Sequence, residues 1–237
     1  MVPFHIFYRV RRFCARLPHH GVNMARRDYK QFAIGEIHHA FNRGNNKAPI
    51  FLDDSDYRFM LSRLEEALYP GRAVKGALSQ RNQRKPLPPD SFDLIAYCLM
   101  PNHFHLLIRQ KSEISISVLM LKVITSYSKY FNKKYQRVGS LFQDQYKTTH
   151  IHDNTQLLHT SAYIHNNPRV DGLVESAEEY PFSSMHEYVS RADASQIISN
   201  PNSVLEQFGG VFQYRDFVQE SLEVTLRNKQ AATAHLL

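Results

Sequence analysis

The feature that most restricts the fold of this chain is a pair of apolar stretches joined by Pro101-Asn102. Ser91–Met100 predicts one strand, and the run that follows predicts its partner, because proline presets the backbone of a tight turn and asparagine tolerates turn conformations. Alternate residues of a strand point to the same face of a sheet. We therefore expect His103 and His105 to face one side, while three apolar residues pack on the other: Phe104, Leu106 and Ile108.

Two neutral imidazoles held on a rigid hairpin suit a first-row divalent metal ion. Hydrogen-bonded surface histidines have the same spacing, so the pattern by itself leaves both interpretations open. The chain also holds a second His-x-His pair, His150 and His152. Spacing alone does not separate the two pairs.

The charge and the composition of the chain limit the class of binding partner and the cellular compartment that we expect for it. The 237 residues carry 29 Lys+Arg against 22 Asp+Glu, a formal net charge of +7, with a pI near 9.4. This balance favours a polyanionic partner such as nucleic acid, or an acidic membrane surface. Two cysteines give no disulfide framework, which fits a reducing cytoplasm. No apolar run approaches the ~20 residues of a membrane span, so we expect no membrane association.

The predicted elements mix strands with helices that have apolar stripes. In order they are a strand at 32–41, a helix capped within 53–55, the hairpin, a helix at 112–132, a strand that begins over 139–146 and is completed by 147–151, and a helix from 153 stopped by Pro168. Such a run around a hairpin predicts an α+β fold.

The string Met-Pro-Asn-His-Phe-His-Leu-Leu at 100–107 looks like the His-hydrophobic-His motif of the HUH single-strand DNA transposases and nucleases. More narrowly, the chain resembles the REP-associated tyrosine transposases. Four further stretches carry this resemblance in the family's order: His39–Gly44 with Pro49–Asp54, Gly139–Gln143, Tyr163–Pro168 and Tyr180–Ser184.

The resemblance implies the HUH fold, a ferredoxin-like antiparallel sheet with packed helices, over residues 29–190. It also implies Tyr163 as nucleophile, and His103, His105 and Asn167 as ligands of Mg²⁺ or Mn²⁺. Tyr163 and Asn167 are four residues apart, so they share a helix face. From the residues alone other tyrosines remain rivals: Tyr127, Tyr130, Tyr135 and Tyr146. His165, which lies between Tyr163 and Asn167 in the sequence, is expected to point away from both.

The implied activity is cutting and rejoining of single-stranded DNA through a 5′-phosphotyrosine, at hairpins of REP-like elements, by a monomer or a homodimer. Rejoining needs no ATP, which agrees with the lack of a phosphate-binding loop motif in the sequence. Two alternatives stay open. One is a DNA-binding regulator on the same fold that does not cleave, and the other is a metal-dependent nuclease that uses water.

Candidate DNA contacts lie at two places. The resemblance gives Asn42 and Arg43 a DNA-facing role, and the outer side of the 112–132 helix is basic with interleaved tyrosines, a pattern suited to phosphates and unpaired bases. The residues of that side are Lys129, Lys133, Lys134 and Arg137. A solvated charged face fits them equally well. Where the family has an arginine this chain has Gln145, which leaves Lys147 as the nearest basic substitute.

The remaining segments are predicted from composition. Residues 1–28 form a basic extension, with Met24 as an alternative start, and residues 70–90 form a basic, proline-rich loop. Residues 191–237 form a helical appendage with a helix over 215–226, and the last ten residues are expected to lack regular structure. His150 and His152 lie where the family needs no histidine, so they are expected to be structural or surface residues.

Overall fold

A computed structural model describes residues 32–70, 72, 86–189 and 197–234, with side chains described as far as residue 226. All of these residues belong to one compact unit, residues 31–237. Its centre is a four-stranded sheet in which every neighbouring pair is antiparallel. The strands are β1 (Ile37–Arg43), β2 (Phe92–Met100), β3 (His103–Gln110) and β4 (Lys147–Ile151).

The connections identify the fold. The chain runs β1, α1 (Asp54–Leu68), β2, β3, α2 (Ile116–Lys134), β4, and the strands lie in the order β2-β3-β1-β4. Two split strand–helix–strand units of this kind form a ferredoxin-like sheet. The predicted α+β, ferredoxin-like fold is confirmed, and the Pro101-Asn102 turn joins β2 to β3 as expected.

Helices α1 and α2 cover one face of the sheet. Asp53 caps α1 by accepting from the backbone N–H groups of Ser55 and Asp56, and the Asp56 carboxylate accepts from the Asp53 N–H in return. Such a capping box satisfies donors that the first helical turn leaves unpaired. Phe104, Leu106 and Ile108 of β3 pack against the apolar stripes of α1 and α2 in one buried cluster, as their alternation predicts.

The opposite face carries α3 (Asn154–Val170) and the C-terminal helices. Among the described residues, three α-helices follow α3 in the chain: α4 (Met185–Val189), α5 (Asn202–Leu205) and α6 (Val211–Ala234). Leu107 of β3 shares a second buried cluster with Ala162 of α3 and with Tyr214 and Val218 of α6. This second layer holds the helix that was predicted to carry the nucleophile.

Several boundaries differ from the sequence predictions. Helix α3 does not stop at Pro168 but continues to Val170. Pro168 lies in the last turn of the helix, and after it the Asp171 N–H still bonds the Asn167 carbonyl at 3.0 Å. The strand predicted from residue 139 does not form before Lys147, where β4 begins. An isolated bridge joins Gly44 to Phe142, and the Gln143 N–H donates to the Arg43 carbonyl at 3.0 Å.

At the C-terminus, α6 begins before residue 215 and continues to Ala234, so seven of the last ten residues are helical rather than irregular. The division into a domain at 29–190 and an appendage at 191–237 stays a prediction. The N-terminal extension and most of the basic loop at 70–90 lie outside the described residues. Within the described part of the chain, no helix has the length and apolar character needed to cross a bilayer.

Candidate functional site

The two histidines of the hairpin lie near the beginning of β3, on the α3 side of the sheet. In the register of the antiparallel pair, Arg43 of β1 is opposite His103, and Phe41 is opposite His105. The two imidazole centroids are 5.0 Å apart, with the rings nearly perpendicular. Both side chains are buried below the surface of the α3 layer.

His39 on β1 holds the ring of His105. Its Nε2 atom is 2.8 Å from Nδ1 of His105, and the two rings are stacked. Burial lowers the pKa of His39 to about 4, and burial also lowers the pKa of His105 well below its usual range, helped by the neighbouring His39, His103 and Arg43. Both rings are therefore neutral at pH 7, and a single proton is shared across their hydrogen bond.

This hydrogen bond decides which nitrogen of His105 can act as a ligand. When Nδ1 of His105 donates to His39, the lone pair of His105 is on Nε2. That Nε2 atom is buried and has no hydrogen-bond partner among the described residues. In the same way, Nδ1 of His103 donates to Oδ1 of Asn102 at 2.6 Å, which leaves the lone pair of His103 on Nε2. In these tautomers both rings present a neutral nitrogen that can bind a metal ion.

Tyr163 on α3 lies beside this pair. Its ring centroid is 5.5 Å from that of His105 and 6.1 Å from that of His39. The residue is 39% exposed, so one side of the phenol contacts the imidazoles and the other is open to an incoming molecule. Burial raises the pKa of the phenol, and this is opposed in part by the Asn167 side chain and the charge of Arg43. The phenol is therefore protonated at neutral pH.

Asn167 is one helical turn beyond Tyr163 and is tied to it. Its Nδ2 atom donates to the Tyr163 carbonyl at 2.8 Å, and its side chain also lowers the pKa of the Tyr163 phenol. Because the amide nitrogen is used within the helix, Oδ1 is the side-chain atom that can act as a ligand. The structure thus places Asn167 next to the tyrosine that contacts His105.

The rival tyrosines are engaged elsewhere. Tyr127 is fully buried and donates to the Ile50 carbonyl, and Tyr146 bonds Ser117 at 2.8 Å. Tyr130 contacts Ser55, while the hydroxyl of Tyr135 donates to Asp56 at 2.8 Å. None of these four bonds involves the histidine pair, whereas Tyr163 packs directly on it.

Two of the predicted DNA-contacting residues lie on the same face as the histidines. Arg43 is opposite His103, and exposed Lys147 of β4 is opposite Phe41, whose other neighbour is His105. His105, Phe41 and Lys147 therefore form one row across three strands. The charge of Arg43 acts on the phenol of Tyr163, whose pKa it lowers, and Lys147 lies on the same face of the sheet.

The other predicted contacts are on the far side of the sheet or inside the protein. Asn42 is buried, with its amide bonded to the Asp144 carbonyl at 3.0 Å and to the Arg43 N–H at 2.9 Å. Lys129 and Lys133 are exposed on α2, and Arg137 is exposed just beyond the end of that helix. The ammonium of Lys134 bonds both Asp53 and Asp56, at 2.7 and 2.8 Å, so it holds the beginning of α1 to the end of α2.

Two histidines make side-chain contacts that the sequence did not indicate. His39 was recognised only as part of a motif, and its contact with His105 follows from the register of β1 against β3, which no local pattern encodes. His165 is fully buried and bonds Tyr214 of α6 and Ser184, at 2.7 and 2.8 Å. It faces α6, away from the histidine pair, as its neighbouring helix position predicts.

Comparisons with known proteins relate part of this chain to transposases. Residues 85–167 match the family model of the IS200-like transposases. A protein of Haemophilus influenzae (strain Rd), described as a REP-associated tyrosine transposase, is 30% identical over 105 residues, which are 40% of this chain. The alignment spans 60% of that relative's length.

Solved structures with a similar chain trace include a REP-associated tyrosine transposase bound to a REP hairpin, with a TM-score of 0.49 and 17% identity over 73% of this chain and 92% of that one. Another is a transposase-like protein from Deinococcus radiodurans R1, with a TM-score of 0.35 and 13% identity over 58% of this chain and 94% of that one. The segment from the hairpin to the tyrosine helix matches the IS200-like transposases, and the resemblance of the chain to REP-associated tyrosine transposases, predicted from its motifs, is confirmed.

Proposed function

We propose that this protein cuts and rejoins single-stranded DNA through a covalent bond between Tyr163 and a 5′-phosphate. The observation that carries the proposal is the contact of a half-exposed phenol with His105, whose Nε2 atom is buried without a partner among the described residues. The phenol that we propose as the nucleophile and the imidazole that would bind a metal ion thus lie side by side in one chain.

His103, His105 and Asn167 would hold Mg²⁺ or Mn²⁺. The donor set fits, because it presents two neutral imidazole nitrogens and an amide oxygen, and mixed N/O ligation suits these ions better than a closed zinc site. A bound ion would draw electron density from the scissile phosphodiester and stabilise the extra negative charge of the transition state. His39 would support this arrangement by accepting the proton of His105 from Nδ1, which leaves Nε2 of His105 for the ion.

The chemistry of Tyr163 follows from its protonation. The phenol holds its proton at neutral pH, so the Oη–H bond must break as Oη bonds to phosphorus. The bond from phosphorus to the 3′-oxygen breaks on the opposite side, and that oxygen leaves as a free 3′-OH after it takes up a proton. One phosphodiester replaces another. A 3′-OH can therefore attack the phosphotyrosine in the reverse direction and rejoin DNA without ATP.

The charged residues around the phenol suit a single strand of DNA. Arg43 and Lys147 lie on the histidine face, where they can neutralise phosphates on either side of the bond that is cut. Lys129, Lys133 and Arg137 lie on the α2 side, where exposed cations can contact a folded-back stem. We propose hairpins of REP-like elements as the substrate, as the name of the Haemophilus influenzae relative suggests.

The decisive variant is Tyr163→Phe, which removes the nucleophilic oxygen and keeps the ring against His105. Purified protein is incubated with Mn²⁺ or Mg²⁺ and a single-stranded oligonucleotide that carries a hairpin, and the products are separated under denaturing conditions. The wild type is expected to give a protein–DNA band, and Tyr163→Phe none. Tyr130→Phe is the matched control, because its hydroxyl bonds Ser55 at 3.2 Å away from the site.

Each alternative function gives a different result in the same assay. Cleavage that persists in Tyr163→Phe, without a covalent band, would identify a nuclease that uses water. Hairpin binding by the wild type without any cleavage would identify a DNA-binding regulator. Mixing Tyr163→Phe with His105→Ala tests whether the tyrosine acts within its own chain, and we expect no recovery of the covalent band because both groups meet within one chain.

A further inference from the structure

A second group of metal-binding side chains lies outside the candidate site. Glu36, His38 and His150 each offer one ligand atom, and these three atoms lie within 4.8 Å of one another. We refer to these three residues as the edge cluster, because His150 is on β4, a strand at the edge of the sheet. No residue of the edge cluster takes part in the proposed cutting reaction.

The edge cluster is distant from the histidine pair of the hairpin. His38 and His150 are direct cross-strand partners in the β1/β4 ladder. They lie on the sheet face that carries α2, since His39 and Ile37 of the same strand face α3. Arg43, the residue opposite His103, is five positions after His38 on β1, about 17 Å along a strand, and Phe41, the residue opposite His105, is three positions after it, about 10 Å. The two groups thus lie on opposite faces of the sheet and at different positions along β1.

The spacing of the ligand atoms fits one shared ion. Nε2 of His38 is 3.1 Å from one oxygen of Glu36, and Nε2 of His150 is 3.8 Å from the other. Ligands bound at about 2.0–2.1 Å around a tetrahedral zinc ion are separated by about 3.4 Å. The three ligand atoms lie within 4.8 Å of one another, so side-chain movements would bring them to this separation, complete three of four positions and leave the fourth for water.

The protonation states also favour binding. The Ala33 N–H donates to the Glu36 carboxylate at 2.9 Å, and this bond, with that to His38, lowers the pKa of Glu36. Burial lowers the pKa of His38 despite its bond to Glu36. At pH 7 the cluster therefore holds a carboxylate and a neutral buried imidazole, the forms in which both groups bind metal ions.

We propose that the edge cluster binds one divalent ion of the zinc type. Two imidazoles with one carboxylate favour Zn²⁺, Co²⁺ or Ni²⁺ over Mg²⁺, which prefers oxygen ligands and keeps its waters. The ion would link β1 to β4 across the sheet edge, and β4 leads directly into the helix that carries Tyr163. Binding of the ion would therefore stabilise the folded chain.

One feature limits the affinity. Nδ1 of His38 is buried and has no hydrogen-bond partner among the described residues. When Nε2 binds the ion, the ring proton must sit on Nδ1, where it lacks an acceptor from this part of the chain. An unpaired buried donor opposes binding. We therefore expect a weaker site than a closed structural zinc centre, one that exchanges its ion with solution.

The test uses the full-length chain with His103→Ala and His105→Ala as the parent, so that the hairpin pair no longer binds metal. Co²⁺ is added, and the visible absorption of the bound ion is followed together with calorimetric stoichiometry. We expect the parent to bind Co²⁺ and the further change His150→Ala to weaken this binding by roughly 100-fold or more. His152→Ala is the matched control, because His152 neighbours His150 but is not part of the cluster.

His150 is half-exposed on an edge strand, so its removal leaves the core intact; Glu36→Gln, which keeps the size of the side chain, is the second variant. Both should also abolish the rise in unfolding temperature that Zn²⁺ gives the parent. Equal Co²⁺ affinity in the parent, His150→Ala and Glu36→Gln would overturn the proposal, as would tighter competition by Mg²⁺ than by Zn²⁺. Neither result depends on whether the protein cuts DNA.

Discussion

The chain contains two His-x-His pairs with identical spacing in two different environments. His103 and His105 are on β3, an inner strand, under the helix that carries Tyr163. His150 is near the end of the edge strand β4, and His152 lies just beyond it. The neighbours of the first pair are another buried histidine and a tyrosine, whereas His150 lies opposite His38 and close to Glu36.

The comparison shows that spacing within a strand does not define a metal site. What defines it is the strand that lies alongside. β1 contributes to both places: His39 orients His105 on one face, and His38, the adjacent residue, meets His150 on the other. Two successive histidines of one strand thus serve opposite faces, as the alternation of side chains requires.

The largest effect is expected from a substitution that distinguishes the two His-x-His pairs by the amount of covalent protein–DNA band they leave. His105→Ala removes a proposed ligand beside Tyr163, and we expect the covalent protein–DNA band to fall by about 1000-fold or more, since transition-state stabilisation of several kcal/mol is lost. His152→Ala, with the same position in its own pair, should leave the band unchanged. A denaturing gel of the hairpin reaction measures both. Equal losses in the two variants would contradict the distinction drawn between the pairs.

A smaller effect is expected from the residue that orients His105. His39→Ala removes the partner of Nδ1 and should reduce covalent band formation by about 10- to 100-fold, as loss of an outer hydrogen bond to a metal ligand does. His39→Gln offers an amide oxygen as acceptor and should recover part of the activity. A purely structural role predicts that both variants lose stability and activity together, which unfolding by urea would reveal.

His165 lies in a third environment, in which its side chain is fully buried. Burial lowers its pKa to about 3, so below the ordinary value of 6.5 the unfolded chain binds a proton that the folded chain does not. Stability therefore falls as the pH falls. We expect His165 to account for about 2 kcal/mol of lost stability between about pH 7.5 and about pH 5.

Urea unfolding at several pH values checks this expectation. His165→Gln should be less stable at neutral pH, because bonds to Tyr214 and Ser184 are weakened, but its stability should depend less steeply on pH by the stated amount. An unchanged pH slope would mean that His165 is protonated in the folded protein.

The smallest effect is expected from single surface cations. Lys147→Ala removes one charge on the histidine face, and we expect a few-fold loss of affinity for single-stranded DNA and a decrease of about 0.7 in the salt slope. Lys134→Ala should instead lower stability, with little change in the salt slope, because its ammonium is paired with Asp53 and Asp56. Fluorescence anisotropy at several salt concentrations distinguishes the two lysines.

Local pattern was enough for the α+β class and for part of the candidate site, whereas the ferredoxin-like topology was predicted from the family resemblance. The hairpin, the capped helix after Asp53 and the alternation around Phe104 all depend on neighbours close in sequence, and the structure has each of them. The stop at Pro168 was wrong because a proline in the last turn removes only one helical bond.

Contacts between distant segments were not predictable in this way. His39 and His105 are 66 residues apart, and their bond depends on strand register. Lys134 looked like part of a basic helix face, yet its partners come from the cap of α1, about 80 residues earlier in the chain. A single sequence carries no local signal for either pairing.

The packing of α6 on α3 has a consequence for when the protein becomes competent. The tyrosine helix is held from outside by Tyr214, through His165, and by the Val218 carbonyl, through Asn166. During synthesis these contacts can form only after some fifty further residues have followed Tyr163 out of the ribosome. A nascent chain would therefore carry both imidazoles and the phenol before α6 supports the tyrosine helix, and until then α3 would be held only by its packing on the sheet.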